Sequence, residues 1–206
     1  MGRIIKSLFF ILVFAYLAIS FVTSNAGFTT FNFRNVAYSQ ELSIKEATES
    51  SNVKSEDKKV EYQLPYPGLL PDNPLYFLKA LRDAVIDFLI SDSLKKADFY
   101  LLQADKRLNA GVYLFKIGKE KYSLAESTIS KGENYFEKAL AKAKDTGKQG
   151  MDIDDIASRL LTSSKKHQEV IKMLEKNADS KTKQSLRPLL KRVNDFEKQA
   201  KSLIPK

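Results

Sequence analysis

The sequence predicts an all-α protein, an antiparallel helical bundle of four to five amphipathic helices behind an N-terminal apolar segment and a flexible linker. Three observations carry this. Apolar residues recur at alternating spacings of three and four through most of residues 74–203, which is the period of one helix face. The 206 residues include only 8 Gly and 6 Pro, and four of the prolines fall within residues 62–74, so little turn punctuation is left for many short strands. The helical stretches are also joined by short connections, which favour antiparallel neighbours.

The N-terminus comes first. Residues 1–6 contain Arg3 and Lys6, and residues 7–22 (SLFFILVFAYLAISFV) carry no charge. A basic start followed by an apolar run is the layout of a secretory signal. The run is apolar on all faces, which sets it apart from an amphipathic core helix. It is long for a signal peptide yet short of the roughly 20 residues that cross a bilayer upright. Ser24 and Ala26 stand where a signal peptidase wants small residues. Residues 1–26 are therefore expected to be a signal peptide or a membrane anchor, and both alternatives stay open. Either way the rest of the chain is expected outside the cytoplasm, secreted or anchored to the cell membrane. Residues 27–61 are rich in Ser, Glu, Lys and Thr, bury too little to offset their ordering entropy, and are expected to be a linker.

Residues 62–206 are expected to fold. Residues 62–73 read YQLPYPGLLPDN, and Pro65, Pro67 and Pro71 impose an extended path. Asp72 or Asn73 can cap a first helix over residues 74–90, whose apolar side holds Leu75, Leu78, Leu81, Val85, Phe88 and Leu89. Ser91, Asp92 and Ser93 form a break and a new cap. A second helix over residues 93–117 has a seam of Leu94, Ala97, Leu101, Ala104, Leu108, Gly111 and Phe115, where Gly111 permits close backbone approach. A third follows over residues 119–146, seamed by Ala125, Ile129, Gly132, Phe136, Ala139 and Ala143, with Gly147 and Gly150 ending it. A fourth covers residues 152–177, with Asp152, Asp154 and Asp155 at its positive end. The fifth begins between Asp179 and Ser185 and runs to Leu203. Pro188 would kink a helix begun at Asp179 and is tolerated in the first turn of one capped by Ser185. No 34-residue repeat is present, so a shared core is favoured over a repeat array.

Residues 62–79 (YQLPYPGLLPDNPLYFLK), together with Lys95–Tyr100, Ala104–Leu108 and Ser130–Tyr135, resemble the bacterial family described as domain of unknown function 5667, over about residues 62–176. The resemblance implies an exported or membrane-tethered helical domain. It supplies no activity and no catalytic residues.

The search for chemistry returns little. With no Cys there is no thiolate site or disulfide, and with one His there is one imidazole to work with. Gly111, Gly118 and Lys119 do not make a phosphate loop, and no Gly-x-Ser-x-Gly elbow occurs. Ser93/Lys96 and Ser163/Lys166 match Ser-x-x-Lys, but the companion motifs of that chemistry are missing. Asp152, Asp154 and Asp155 lack the spacing of a calcium loop and read as helix-end charges. His167 is expected at the edge of the core, and a single ligand cannot hold a metal. No catalytic residue, cofactor or metal site is assigned, and an enzyme is not expected.

Charge is the informative feature. The chain carries +9. Residues 62–155 balance 14 basic against 14 acidic residues, whereas residues 156–206 hold 13 basic and 5 acidic, so most of the excess lies in the last two helices. On the fourth helix Lys165, Lys172 and Lys176 share a face, interrupted by Glu169. On the fifth, Arg187, Lys191, Lys198 and Lys201 form a stripe. These seven residues are the candidate contacts for an anionic envelope polymer or lipid surface. The alternative is an extracytoplasmic sensor or interaction module that binds a protein partner through its apolar seams. Nucleic acid is not an expected partner, because no recognition motif is present and the chain is expected to be exported.

Overall fold

The computed structural model describes residues 60–204, and these are all-helical. The signal or anchor segment 1–26 and all but the last two residues of the linker 27–61 lie outside the described residues.

Five α-helices follow one another: α1 Tyr76–Leu89, α2 Ser93–Ile117, α3 Tyr122–Lys148, α4 Asp154–Asn177 and α5 Ser180–Leu203. A 3₁₀ turn, Lys119–Lys121, joins α2 to α3. The helix starts follow the local chemistry. Asp92 caps α2 by accepting from the Lys95 amide at 2.8 Å, and Asp179 caps α5 by accepting from the Thr182 amide at 2.8 Å. At α4, Asp152 accepts from the Asp154 amide at 2.9 Å, so the acidic residues do serve the helix end. Asn73 Oδ1 takes the Leu75 amide just ahead of α1. Gly118 (φ 153°) and Gly150 (φ 79°) make the turns after α2 and α3. The fifth helix starts at Ser180, inside the expected window, so Pro188 lies within the helix and not in its first turn. The cap at Asp179 and burial of Leu186 and Leu189 on either side of the proline outweigh the one amide that Pro188 cannot donate.

α2 and α3 form one antiparallel hairpin, and α4 and α5 form another. The hairpins stack with α4 beside α2 and α5 beside α3. α4 runs parallel to α2, since Arg159 pairs with Asp98 at 2.6 Å and, two turns further along both helices, His167 meets Asp105. The core between the hairpins is built from Leu101, Leu108, Ile129, Phe136, Leu160, Ile171, Leu186 and Val193, with the Phe136 and Phe196 rings stacked at 5.1 Å. Gly111 lets α3 approach α2 as expected: a Cβ there would lie 2.3 Å from Ile129 Cγ1.

The proline-rich segment is a strap across the hairpins. Its Val60 amide donates to Glu169 on α4 at 2.8 Å, Pro65 O accepts from Asn109 on α2 at 2.9 Å, and Pro67 O accepts from Lys79 on α1 at 2.6 Å. Leu64 and Leu70 pack against the core. Tyr62 reaches furthest in and donates its hydroxyl to Asp105 Oδ2 at 2.5 Å. Burial, then the Asp105 carboxylate, raise the Tyr62 pKa, so the phenol stays a donor. Tyr62→Phe removes one charge-assisted hydrogen bond and is expected to lower stability by about 1.5–3 kcal/mol, read from the urea midpoint.

α1 departs from expectation. Its apolar side does not enter the core, and the single buried residue on the helix is Asp83.

Candidate functional site

Two sets of charged residues stand out, one buried and one on the surface. The buried set begins at His167. The imidazole is fully buried, not at the core edge. Nε2 lies 2.9 Å from Asp105 Oδ1, and Nδ1 lies 3.0 Å from Glu133 Oε1. Ser163 Oγ donates to Asp105 Oδ1 at 2.6 Å, and Tyr62 completes the shell of that carboxylate. Phe136 closes the ring edge-on at 5.1 Å. Desolvation pulls the His167 pKa down. The charge of Glu133 and the hydrogen bonds to Asp105 and Glu133 outweigh it, and the pKa is pushed up to about 9. At neutral pH the ring is an imidazolium that donates to both acids.

The cluster joins the strap (Tyr62), α2 (Asp105), α3 (Glu133) and α4 (Ser163 and His167), so it closes in one register of the stacked hairpins. Its chemistry is that of a structural clamp. The two carboxylates sit at opposite nitrogens of the ring, so their lone pairs do not converge on a point a cation could occupy. No group of three or more His, Cys, Asp or Glu among the described residues is placed to hold a metal.

The surface set is the one expected from charge. Lys165, Lys172 and Lys176 are exposed on α4, and Arg187, Lys191, Lys198 and Lys201 are exposed on α5. The buried positions of α4 (Leu160, Ser163, His167, Val170, Leu174) and of α5 (Leu186, Val193, Phe196, Ala200) lie on the opposite sides of their helices, so all seven cations point away from the core. Arg187 pairs with Glu175 at 3.3 Å, and Lys198 with Asp195 at 3.2 Å. Lys165, Lys172, Lys176, Lys191 and Lys201 make no ion pair with any described residue. Two contacts, Arg187 to Glu175 and Gln168 to Glu197, bridge the two helices and put both stripes on one outer surface of the hairpin.

The fold is thus that of a stacked-hairpin helical domain with a polar clamp inside and a cationic outer face. The profile of the family described as Domain of unknown function (DUF5667) matches residues 68–181, more than half of the chain. The chain belongs to that family. The match begins inside the strap and ends at the start of α5, so the whole α5 stripe lies beyond it. No curated protein and no solved structure matches the chain.

Proposed function

We propose that this domain is a non-catalytic binding module that holds an anionic polymer of the cell envelope on the outer face of α4 and α5. The observation that carries the reading is the placement of seven exposed cations on one face, five of them without a carboxylate partner among the described residues. These cations outnumber the acids interleaved with them, Glu169, Glu175 and Asp195, and their excess sums to a positive field that recruits a polyanion. The excess charge of residues 156–206 over the neutral residues 62–155 is the sequence counterpart of this face. Export of the chain, as its N-terminal layout predicts, supplies the setting in which such polymers occur.

The test uses the full chain in nanodiscs of neutral phosphatidylcholine, titrated with inorganic polyphosphate as the probe. Binding is expected at low salt and is expected to fade by about 0.5 M, where the screening length is only a few ångström. The quadruple variant Arg187→Glu, Lys191→Glu, Lys198→Glu, Lys201→Glu is expected to bind at least about tenfold more weakly, a change of about 1.4 kcal/mol. Unchanged affinity in that variant overturns the reading. Polymer binding that persists at high salt also overturns it, in favour of a partner held by apolar contacts.

A further inference from the structure

α1 is amphipathic, and it is mounted with its polar side inward. Tyr76 OH accepts from Arg107 on α2 at 2.9 Å. Asp83 is buried against the hairpin and paired with Arg82 at 2.7 Å, and Asp87 pairs with Lys96 of α2 at 3.4 Å. Lys79 is turned back to the strap carbonyls. Of the apolar residues on the helix, Ile86 packs against the core. The rest face outward: Phe77 is 62% exposed, Leu81 57%, Phe88 86% and Leu89 68%, with Leu78 and Val85 between them and Leu75 just ahead of the helix. At ordinary side-chain areas these seven residues present roughly 800 Å², well above the few hundred Å² of a typical monomer's largest apolar patch.

Cations surround this ridge on the same flank. Beside it, the α2–α3 groove holds a shallow depression of about 240 Å³ lined by Arg107, Lys131, Asn134, Tyr135 and Lys138, three cations and no carboxylate. Arg107 Nε is buried there without an acceptor, and its guanidinium lies over the Tyr135 ring at 4.8 Å. Arg107 reaches from this groove to the Tyr76 hydroxyl of α1 at 2.9 Å, so the cationic groove and the apolar ridge are neighbours.

We propose that this flank is a docking surface for an anionic lipid bilayer, with the α1 ridge seated at the acyl boundary and headgroup phosphates at Arg107, Lys131 and Lys138. The 14 residues of α1 span about 21 Å, too short to cross a bilayer, so the helix lies in its plane. No helix among the described residues is long and apolar enough to cross a membrane. The uncharged run at residues 7–22 of the same chain has the composition to enter the same bilayer, and a second attachment raises the local concentration of the first. A second copy of the chain is the weaker occupant, because face-to-face packing of two such flanks brings their unpaired cations together.

The docking flank and the α4–α5 face point in different directions. α4 packs on the side of α2 that carries Asp98 and Asp105, and α1 on the side that carries Lys96, Tyr100 and Arg107. Asp105 and Arg107 are about 200° apart around the helix. A membrane against α1 therefore leaves the polymer-binding face free, and the two proposals stand or fall separately.

The chain has no Cys, so Phe88→Cys and Lys191→Cys each create one labelling site, both at exposed positions. The full chain carrying an environment-sensitive fluorophore is reconstituted in vesicles of phosphatidylglycerol and phosphatidylcholine that contain an acyl-chain nitroxide lipid. Far-ultraviolet circular dichroism confirms that each labelled chain is folded. The label at 88 is expected to shift to the blue and to lose at least half its emission to the nitroxide, and the label at 191 to do neither. Adding Lys131→Glu and Lys138→Glu is expected to reduce quenching at 88 in anionic vesicles. A label at 88 that stays unquenched in folded protein overturns the proposal. A blue shift that tracks protein concentration in lipid-free micelles, without nitroxide quenching in vesicles, also overturns it and assigns the ridge to a second copy. Quenching unaltered by the Lys131 and Lys138 changes overturns the headgroup contact.

Discussion

His167→Ala is expected to be among the most damaging single substitutions in the domain. It leaves Asp105 and Glu133 buried on neighbouring helices without the cation between them, and Glu133 Oε2 already has no hydrogen-bond partner. Removing one member of a buried charge set costs about 3–5 kcal/mol, a large part of the total stability of a domain this size. The urea midpoint is the measure, and a loss below about 1 kcal/mol contradicts the clamp. Neutralising the set together with Asp105→Asn, Glu133→Gln and His167→Gln is expected to cost less than His167→Ala alone, because no uncompensated charge is then buried. The clamp also sets a pH dependence. The His167 pKa is about 9 in the folded chain and 6.5 when unperturbed. A raised folded-state pKa means that folding takes up a proton at intermediate pH. The contribution is therefore complete below about pH 6.5, declines between about 6.5 and 9, and is gone above that, a swing of about 3 kcal/mol. Midpoints measured across this range are expected to fall with rising pH in the parent chain and to lose that slope in the triple variant.

Gly132→Val is the second large effect. A Cβ at this position lies 3.1 Å from the Ala104 carbonyl oxygen, 3.1 Å from Arg107 Cβ and 3.4 Å from the Leu108 amide nitrogen. Two of these neighbours are backbone of α2 and cannot rotate away. A branched side chain must push the two helices of the first hairpin apart, directly beside Glu133 of the clamp. The expected loss is about 3 kcal/mol, the upper end for overpacking. Thermal unfolding gives the readout. At Gly111 a Cβ would lie 2.3 Å from Cγ1 of the buried, branched Ile129 and 3.2 Å from the Ala125 carbonyl oxygen, so Gly111→Ala is expected to cost more than Gly132→Ala. The reverse order contradicts the account of the contact.

Much of this architecture is legible in the residues. The alternating three and four spacing places Leu101, Leu108, Ile129, Phe136 and Leu160 in the core, and Asp92 does cap α2. The clamp was legible too, by a signal the seam reading passed over. Asp105 stands four after Leu101 and three before Leu108; Glu133 stands four after Ile129 and three before Phe136. Each acid occupies a core position on its own helix, as His167 does on α4. Three ionisable residues on three apolar seams have to find one another or remain unpaired in the core. What periodicity cannot reveal is which face of a helix turns inward. α1 has a clear apolar side, but its polar side holds Tyr76 and Asp87, whose partners Arg107 and Lys96 on α2 decide the orientation. The start of α5 is open in the sequence between Asp179 and Ser185, because the Pro188 penalty stands there against a single cap; the buried pair Leu186 and Leu189 holds the helix through the proline from Ser180. The surface cations followed directly from the count of charges. Their common face follows from the seam positions that oppose them.

The most direct test of the proposed function is the site of polyanion contact on the intact chain. Amide and lysine side-chain NMR shifts are recorded for the full-length protein in neutral nanodiscs as inorganic polyphosphate is added. The perturbations are expected at Lys165, Lys172, Lys176, Lys191 and Lys201, with Arg187 and Lys198 released from Glu175 and Asp195. Perturbations centred on Arg107, Lys131 and Lys138, with the α4–α5 face silent, would contradict the assignment and move the anion site to the α1 flank.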